Sequence, residues 1–177
     1  MAAPTPGLIG SFQLSPQQEK YQLSLGQGDT TTTWDFTSAD PTTDQPPAGT
    51  SCFEYSLGVS DAPCQAQPLI FLRYNSGVDL ANAWTAPGSH QLQITAYHLA
   101  ADAPAITSLK VWTSVNGGAT WTKAALASGT GGVYTTTISV PELSKTSGTV
   151  SIRAQATDAQ GNRVSQTIYK AWSLAAG

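Results

Sequence analysis

Two histidines, two cysteines, a thin set of carboxylates and one tryptophan-flanked turn are what this 177-residue chain offers for chemistry. Nucleophilic hydrolysis needs a nucleophile, a base beside it and a group that orients the base. His90 stands in the turn-like "PGSH". His98 continues the parity of Leu92, Ile94 and Ala96 in "QLQITAYHL", and so is expected to pack at a strand end. Ser51 lies in "AGTSC", but "FEYSLGVSDAP" follows where a helix of small and apolar residues would have to hold a nucleophilic serine. Cleavage of a glycoside needs two facing carboxylates, and neither Glu54 nor Glu142 (beside Pro141) has an evident partner. Asp158 and Asn162 flank a turn and are the one candidate calcium pair. Yet no run of alternating acidic ligands and no Cys/His set accompanies them. Asp and Asn also suit turn geometry on their own account, which is the preferred reading. The sequence therefore assigns no catalytic residue, no metal and no cofactor.

The stretch "SVNGGATW", residues 114 to 121, joins two strand-like runs, with Trp112 just upstream. It resembles the Asp-box, the hairpin motif Ser-x-Asp-x-Gly-x-Thr-Trp of sialidase propellers and other β proteins. Ser114, Gly118, Thr120 and Trp121 match, while Asn116 stands where Asp is usual. The resemblance implies a structural hairpin and no activity, since the box lies away from the active site in that family. A sialidase also needs several copies and an arginine cluster; this chain has one copy and scattered arginines. Register decides which way the indoles point, because a one-residue slip moves a side chain to the other face. A two-residue Asn116-Gly117 turn sets Trp112 opposite Trp121, both outward with Lys110 and Lys123. A three-residue turn ending at Gly118 turns Trp121 inward with Leu109, Val111 and Val115. The Asp-box likeness and the gain from removing an indole from water favour the second, leaving Trp112 as the one candidate ligand contact.

The elements that must carry these residues are strands. Thr, Ser, Gly, Ala and Gln abound while charged residues make up only 11 %, so strand and turn formers outweigh helix formers. Period-2 alternation recurs in "YQLSL", "TTTTWDF", "QLQITAYHL", "SLKVWTSV", "VYTTTISV" and "GTVSIRAQATD". In the last, Val150, Ile152, Ala154 and Ala156 face inward and Ser151, Arg153, Gln155 and Thr157 outward. "PLIFLRYN" is apolar on both faces from Leu69 to Leu72, as in a strand covered on both sides. From Thr37 to Pro68 the chain is loop-like, and a clip between Cys52 and Cys64 is a sufficient reason for so long a loop. The expected fold is all-β: an immunoglobulin- or fibronectin-type-III-like sandwich, in the form of two packed β units if the halves separate. The expected division is residues 1–15 as linker, 16–86 as an N-terminal β unit with the disulfide loop, and 87–177 as the sandwich, completed if need be by a strand from the first half.

No Lys or Arg run offers a polyanion a hold along the sequence, the net charge is −3, and nucleic acid is not an expected partner. The longest apolar run is far too short to span a bilayer, so no membrane insertion is expected. "MAAPTPGLIG" lacks the basic start and apolar stretch of a signal peptide. A disulfide-bearing, polar β chain without one reads as a piece of a longer exported protein, extracellular in location.

Tyr21 to Leu174 resembles, in order and spacing, the C-terminal β-rich region that follows the catalytic domain in some secreted actinobacterial subtilisin-like serine peptidases. The likeness rests on "TTTTWDF", "PLIFLRYNSGVDL", "APGSHQLQI", "SVNGGATW" and "VSIRAQATDAQGNRVSQTI". It implies a secreted, non-catalytic accessory sandwich, with the peptidase domain as its partner in cis, that stabilises or spaces the enzyme or holds a protein or glycan substrate. The loop "GTSCFEYSLGVSDAPC" departs from that pattern as a local elaboration. The rival reading is a free-standing extracellular carbohydrate-binding module, suggested by the five tryptophans.

Overall fold

A computed structural model describes residues 14–46, 49, 52, 63–78, 80–100 and 102–177. Among the described residues the chain forms eleven strands in two sheets. The first hairpin pairs β1 (Glu19–Gln27) with β2 (Thr30–Ser38) across Gly28-Asp29, setting Tyr21 opposite Phe36 and Leu23 opposite Trp34. Gly28 takes φ 55° there, the left-handed backbone a two-residue hairpin turn requires. Next come β3 (Phe71–Asn75), β4 (Ala83–Ala86), β5 (Gly88–Tyr97), β6 (Ile106–Ser114) and the short β7 (Thr122–Lys123). The chain ends with β8 (Ala127–Ser128), β9 (Val133–Val140), β10 (Thr149–Asp158) and β11 (Arg163–Ala176). One sheet runs β1-β2-β11-β10-β6-β7, and the other β3-β5-β9-β8. The long β11 pairs first with β2 along Arg163–Ile168, then in parallel with β4 along Ser173–Ala176.

The two inner faces share one core. Leu92, Ile94, Ile138 and Val140 from the smaller sheet meet Val111, Val150, Ile152, Ala154 and Val164 from the larger, all buried. Each large aliphatic side chain so removed from water contributes roughly 1.5–3 kcal/mol. Trp34 and Trp84 join this core with their indole N–H groups satisfied. Trp34 donates to the Ile70 carbonyl at 2.7 Å. Trp84 donates to the Ser76 carbonyl at 3.2 Å and stacks on Trp172 with ring centroids 4.4 Å apart. Between the sheets, the Tyr74 hydroxyl donates to Gln166 Oε1 at 2.9 Å, and Gln166 Nε2 donates to Thr32 Oγ1 at 2.8 Å. Burial pushes the Tyr74 phenol well above its ordinary range.

The residues on either side of Pro87 do not form two separate units. β2 and β4 lie in the larger sheet with β10 and β11, β3 lies in the smaller one with β5, and Trp34, Ile70 and Trp84 belong to the common core. Pro87 follows a cis peptide bond, at the point where the chain leaves β4 for β5. Within the expected linker, residues 1–13 lie outside the described ones, while Ser15 is tied in: its N–H donates to the Tyr21 hydroxyl and its carbonyl accepts from the Asp40 N–H. The run expected to be covered on both sides is instead the edge strand β3. Only Ile70, just before it, is fully buried, in the common core; its carbonyl receives the Trp34 indole N–H, and the Leu69 carbonyl meets the His98 ring.

Cys52 and Cys64 are joined by a disulfide, with Cα atoms 5.6 Å apart. Beside it the Gln45 N–H donates to the Cys64 carbonyl, the Ala66 N–H to the Gln45 carbonyl, and Gln65 Nε2 to Ser38 Oγ, so the clip is fastened to the end of β2. Among the described residues no helix is long and apolar enough to cross a membrane.

Candidate functional site

The turn after β6 is built by its own side chains. Ser114 Oγ donates to Asn116 Oδ1 at 2.8 Å and accepts from the Gly118 N–H at 2.9 Å. Asn116 Oδ1 also accepts the Thr120 N–H at 3.0 Å, and Asn116 Nδ2 donates to Thr120 Oγ1 at 2.9 Å. Ser114, Asn116, Gly118 and Thr120 thus form a clasp. Gly118 has φ 90°, and a Cβ there would come 2.6 Å from Tyr169 Cε1. Only glycine meets both demands.

This clasp spans more residues than either simple turn, and the register it leaves pairs Trp112 with Lys123 and Thr113 with Thr122. Trp112 and Lys123 therefore share a face, and two residues back Trp121 returns to it. The expectation of Trp121 packed inward with Leu109, Val111 and Val115 is corrected. Trp121 lies on the outer face, half-buried, with the Arg153 guanidinium carbon 4.4 Å from its ring centroid and Tyr169 edge-on at 6.3 Å. An indole need not enter the core to leave water, because an arginine and a tyrosine cover it here. Ser114 and Ser151, outward by alternation, are nonetheless buried: the Ser114 hydroxyl is taken up by the clasp, and Ser151 Oγ accepts the Lys170 N–H from the irregular stretch of β11.

Trp112, the one candidate ligand contact, is half-buried on the same face between two cations. Its strand neighbours are Lys123 on β7 and Arg153 on β10. Continuing the row, Arg153 pairs with Thr167 and Thr167 with Thr31. The adjacent row is Lys110, Gln155, Ser165 and Thr33. Arg153 Nε donates to Thr167 Oγ1 and Gln155 Nε2 to Ser165 Oγ, both at 3.4 Å. Cations that are scattered in sequence thus become neighbours in the sheet. Alternation had already marked Lys110 and Arg153 as outward, but grouping them needs the register. Tyr169 carried no signal, since β11 leaves regular pairing with β10 between its partners of Val150 and Ile152.

The histidines sit apart from this face. His90 stacks on Trp84 at 4.7 Å, with Nε2 2.8 Å from the Thr85 carbonyl. His98 is buried at the end of β5, as its parity implied. Its Nδ1 lies 3.0 Å from the Leu69 carbonyl, and its Nε2 3.4 Å from Asp158 Oδ2. Asp158 spends its remaining acceptor capacity on its own hairpin: Oδ1 receives the Gln160 and Asn162 N–H groups at 2.9 Å, and Oδ2 receives Asn162 Nδ2 at 2.7 Å. Asn162 Oδ1 in turn accepts the Thr37 N–H. The candidate calcium pair is thus occupied in holding the β10–β11 turn to β2. Glu142 precedes a 3-10 turn at Leu143–Lys145 and is exposed. Ser51 and Glu54 lie outside the described residues.

No family model and no curated protein matches this chain.

Proposed function

We propose that the chain is a non-catalytic accessory module of a secreted subtilisin-like serine peptidase, carried in cis beside the catalytic domain and serving to stabilise it, space it or hold its substrate. The observation that supports this reading is the fate of the five ordered motifs. "TTTTWDF" supplies β2 and the core Trp34. "PLIFLRYN" supplies Ile70 and β3, and "APGSHQLQI" the crossing from β4 into β5. "SVNGGATW" supplies the clasp, and "VSIRAQATDAQGN" β10 and its turn. Each does structural work in one sandwich, as an appended module requires. The order β3-β5-β9-β8 against β6-β10-β11 also parallels the A-B-E-D and C-F-G sheets of an immunoglobulin-like domain, with β1 and β2 added beside the last strand. The disulfide suits an extracellular location.

Recovering the complete coding sequence tests the proposal. A subtilisin-like catalytic domain in the same reading frame is the expected result, and a frame without one would overturn it. A second reading, a free-standing carbohydrate-binding module, draws its support from the outward Trp112 and its polar surroundings. The same frame separates the two.

A further inference from the structure

The geometry points to a binding face for an acidic polysaccharide on the outer side of the larger sheet, centred on Trp112, with Lys110, Lys123 and Arg153 as the groups that receive its carboxylates. It goes beyond the accessory role and holds whether the module is attached to a peptidase or stands alone.

Three features on one surface carry it. Trp112 offers an indole flanked on neighbouring strands by Lys123 and Arg153, each about 4.8 Å away along the row. Lys110 lies two residues along the same strand, about 7 Å off. A pyranose ring lying on the indole therefore has a cation beside it on three sides, with the buried Ser114 on the fourth. The cations are also unspent: among the described residues Lys170 faces Asp29 and the His98 ring approaches Asp158, and neither contact involves these three.

Arg153 is held ready rather than free. Trp121 lies against its guanidinium, and Nε is engaged by Thr167 Oγ1. The other guanidinium nitrogens make no hydrogen bond among the described residues, so they are left to bind an anion without the usual loss of side-chain freedom. The clasp of Ser114, Asn116, Gly118 and Thr120 thereby gains a purpose, since it carries the Trp121 that positions Arg153.

Beyond the cations the rows continue into Thr167 and Thr31, and into Gln155, Ser165 and Thr33, a run of hydroxyl and amide groups. Sugar hydroxyls pair with such groups, whereas a single-stranded nucleic acid stacks its successive bases on aromatic side chains, and this run holds none. Around Trp112 the cations are Lys110, Lys123 and Arg153; Arg163, further along the same face, stands opposite the Asp35 carboxylate, in a chain of net charge −3. A row of side chains running across five strands suits an extended polymer better than a small molecule, which needs a concave pocket.

Affinity electrophoresis of the full chain tests this with four probes: polygalacturonate, its highly methyl-esterified form, polyglutamate and a single-stranded oligonucleotide. Retardation by polygalacturonate alone, weakened by salt, is the expected result. Trp112→Ala should weaken it by roughly tenfold or more, and Lys110→Gln with Lys123→Gln should weaken it several-fold and flatten its salt dependence. The lysines are surface groups, so that pair keeps the test decisive if Trp112→Ala fails to fold. No retardation by polygalacturonate, equal retardation by the esterified polymer, by polyglutamate or by the oligonucleotide, or binding indifferent to the lysine substitutions would each overturn the proposal.

Discussion

Tyr74 joins the two sheets through a single phenol, and that gives the fold a pH dependence of known sign. Burial raises the phenol above its ordinary value of about 10. As pH rises past that value, the unfolded chain releases the Tyr74 proton while the folded chain keeps it, so the unfolded state binds fewer protons and stability falls. The contribution is whole below about pH 10 and is lost on the way up to the higher folded value. Tyr74→Phe is expected to remove that alkaline decline relative to the parent. It should also cost about 1 kcal/mol at neutral pH, because Gln166 loses its donor. Urea unfolding of both proteins from neutral pH into the alkaline range checks it, and parallel curves would refute it. Asp158 is the other residue on which much converges, accepting three N–H groups of its own hairpin in a site that excludes water. Asp158→Ala should cost roughly 2–4 kcal/mol, since buried donors are left unmatched; a loss under about 1 kcal/mol in the same unfolding experiment would show that the donors find other partners.

At the scale of the element, the hairpin after β6 was legible as a hairpin and illegible in its register. Residue types mark the turn, but the parity of the following strand depends on how many residues the clasp consumes. That number is set by the Ser114, Asn116 and Thr120 side-chain bonds rather than by glycine positions alone. The inward reading of Trp121 failed there, and the row of Lys123, Trp112 and Arg153 stayed hidden for the same reason. If the clasp works as described, Asn116→Asp keeps the Oδ1 acceptor and supplies a second oxygen to Thr120, changing stability by about 0.5 kcal/mol or less. Asn116→Ala breaks all three side-chain bonds of the residue and should cost about 1–2 kcal/mol. Its Trp121 fluorescence should also shift as Arg153 and Tyr169 loosen. Equal stability of the two variants would mean that the backbone alone fixes the turn. "PLIFLRYN" was misread by a related route: a short apolar run looks the same whether both faces are covered or the backbone carbonyls before it are tied to Trp34 and His98.

For the whole molecule, alternation reveals which side of each strand is greasy, and that sufficed for a two-layer sandwich. It is silent on which strand neighbours which. The chain changes sheets three times between β2 and β5, and β11 takes β2 and then β4 along one edge, so no local signal marks the sharing. The consequence is that residues 87–177 lack three of the pieces that close their own core. Without β2 and β4, β11 has an open edge; without Trp34, Ile70 and Trp84, a large part of the interior has no lid. Exposed edges and uncovered apolar faces favour association over folding. Expressed alone, that segment should give poorly dispersed amide resonances or aggregate, while the full chain unfolds in one transition followed alike by tryptophan fluorescence and far-ultraviolet circular dichroism. Reduction of the Cys52–Cys64 bond perturbs the end of β2 rather than the division of the sheets. It should lower stability by no more than about 3 kcal/mol without splitting that transition. A well-folded 87–177 segment, or two separated transitions in the full chain, would show that the boundary at Pro87 divides the molecule after all.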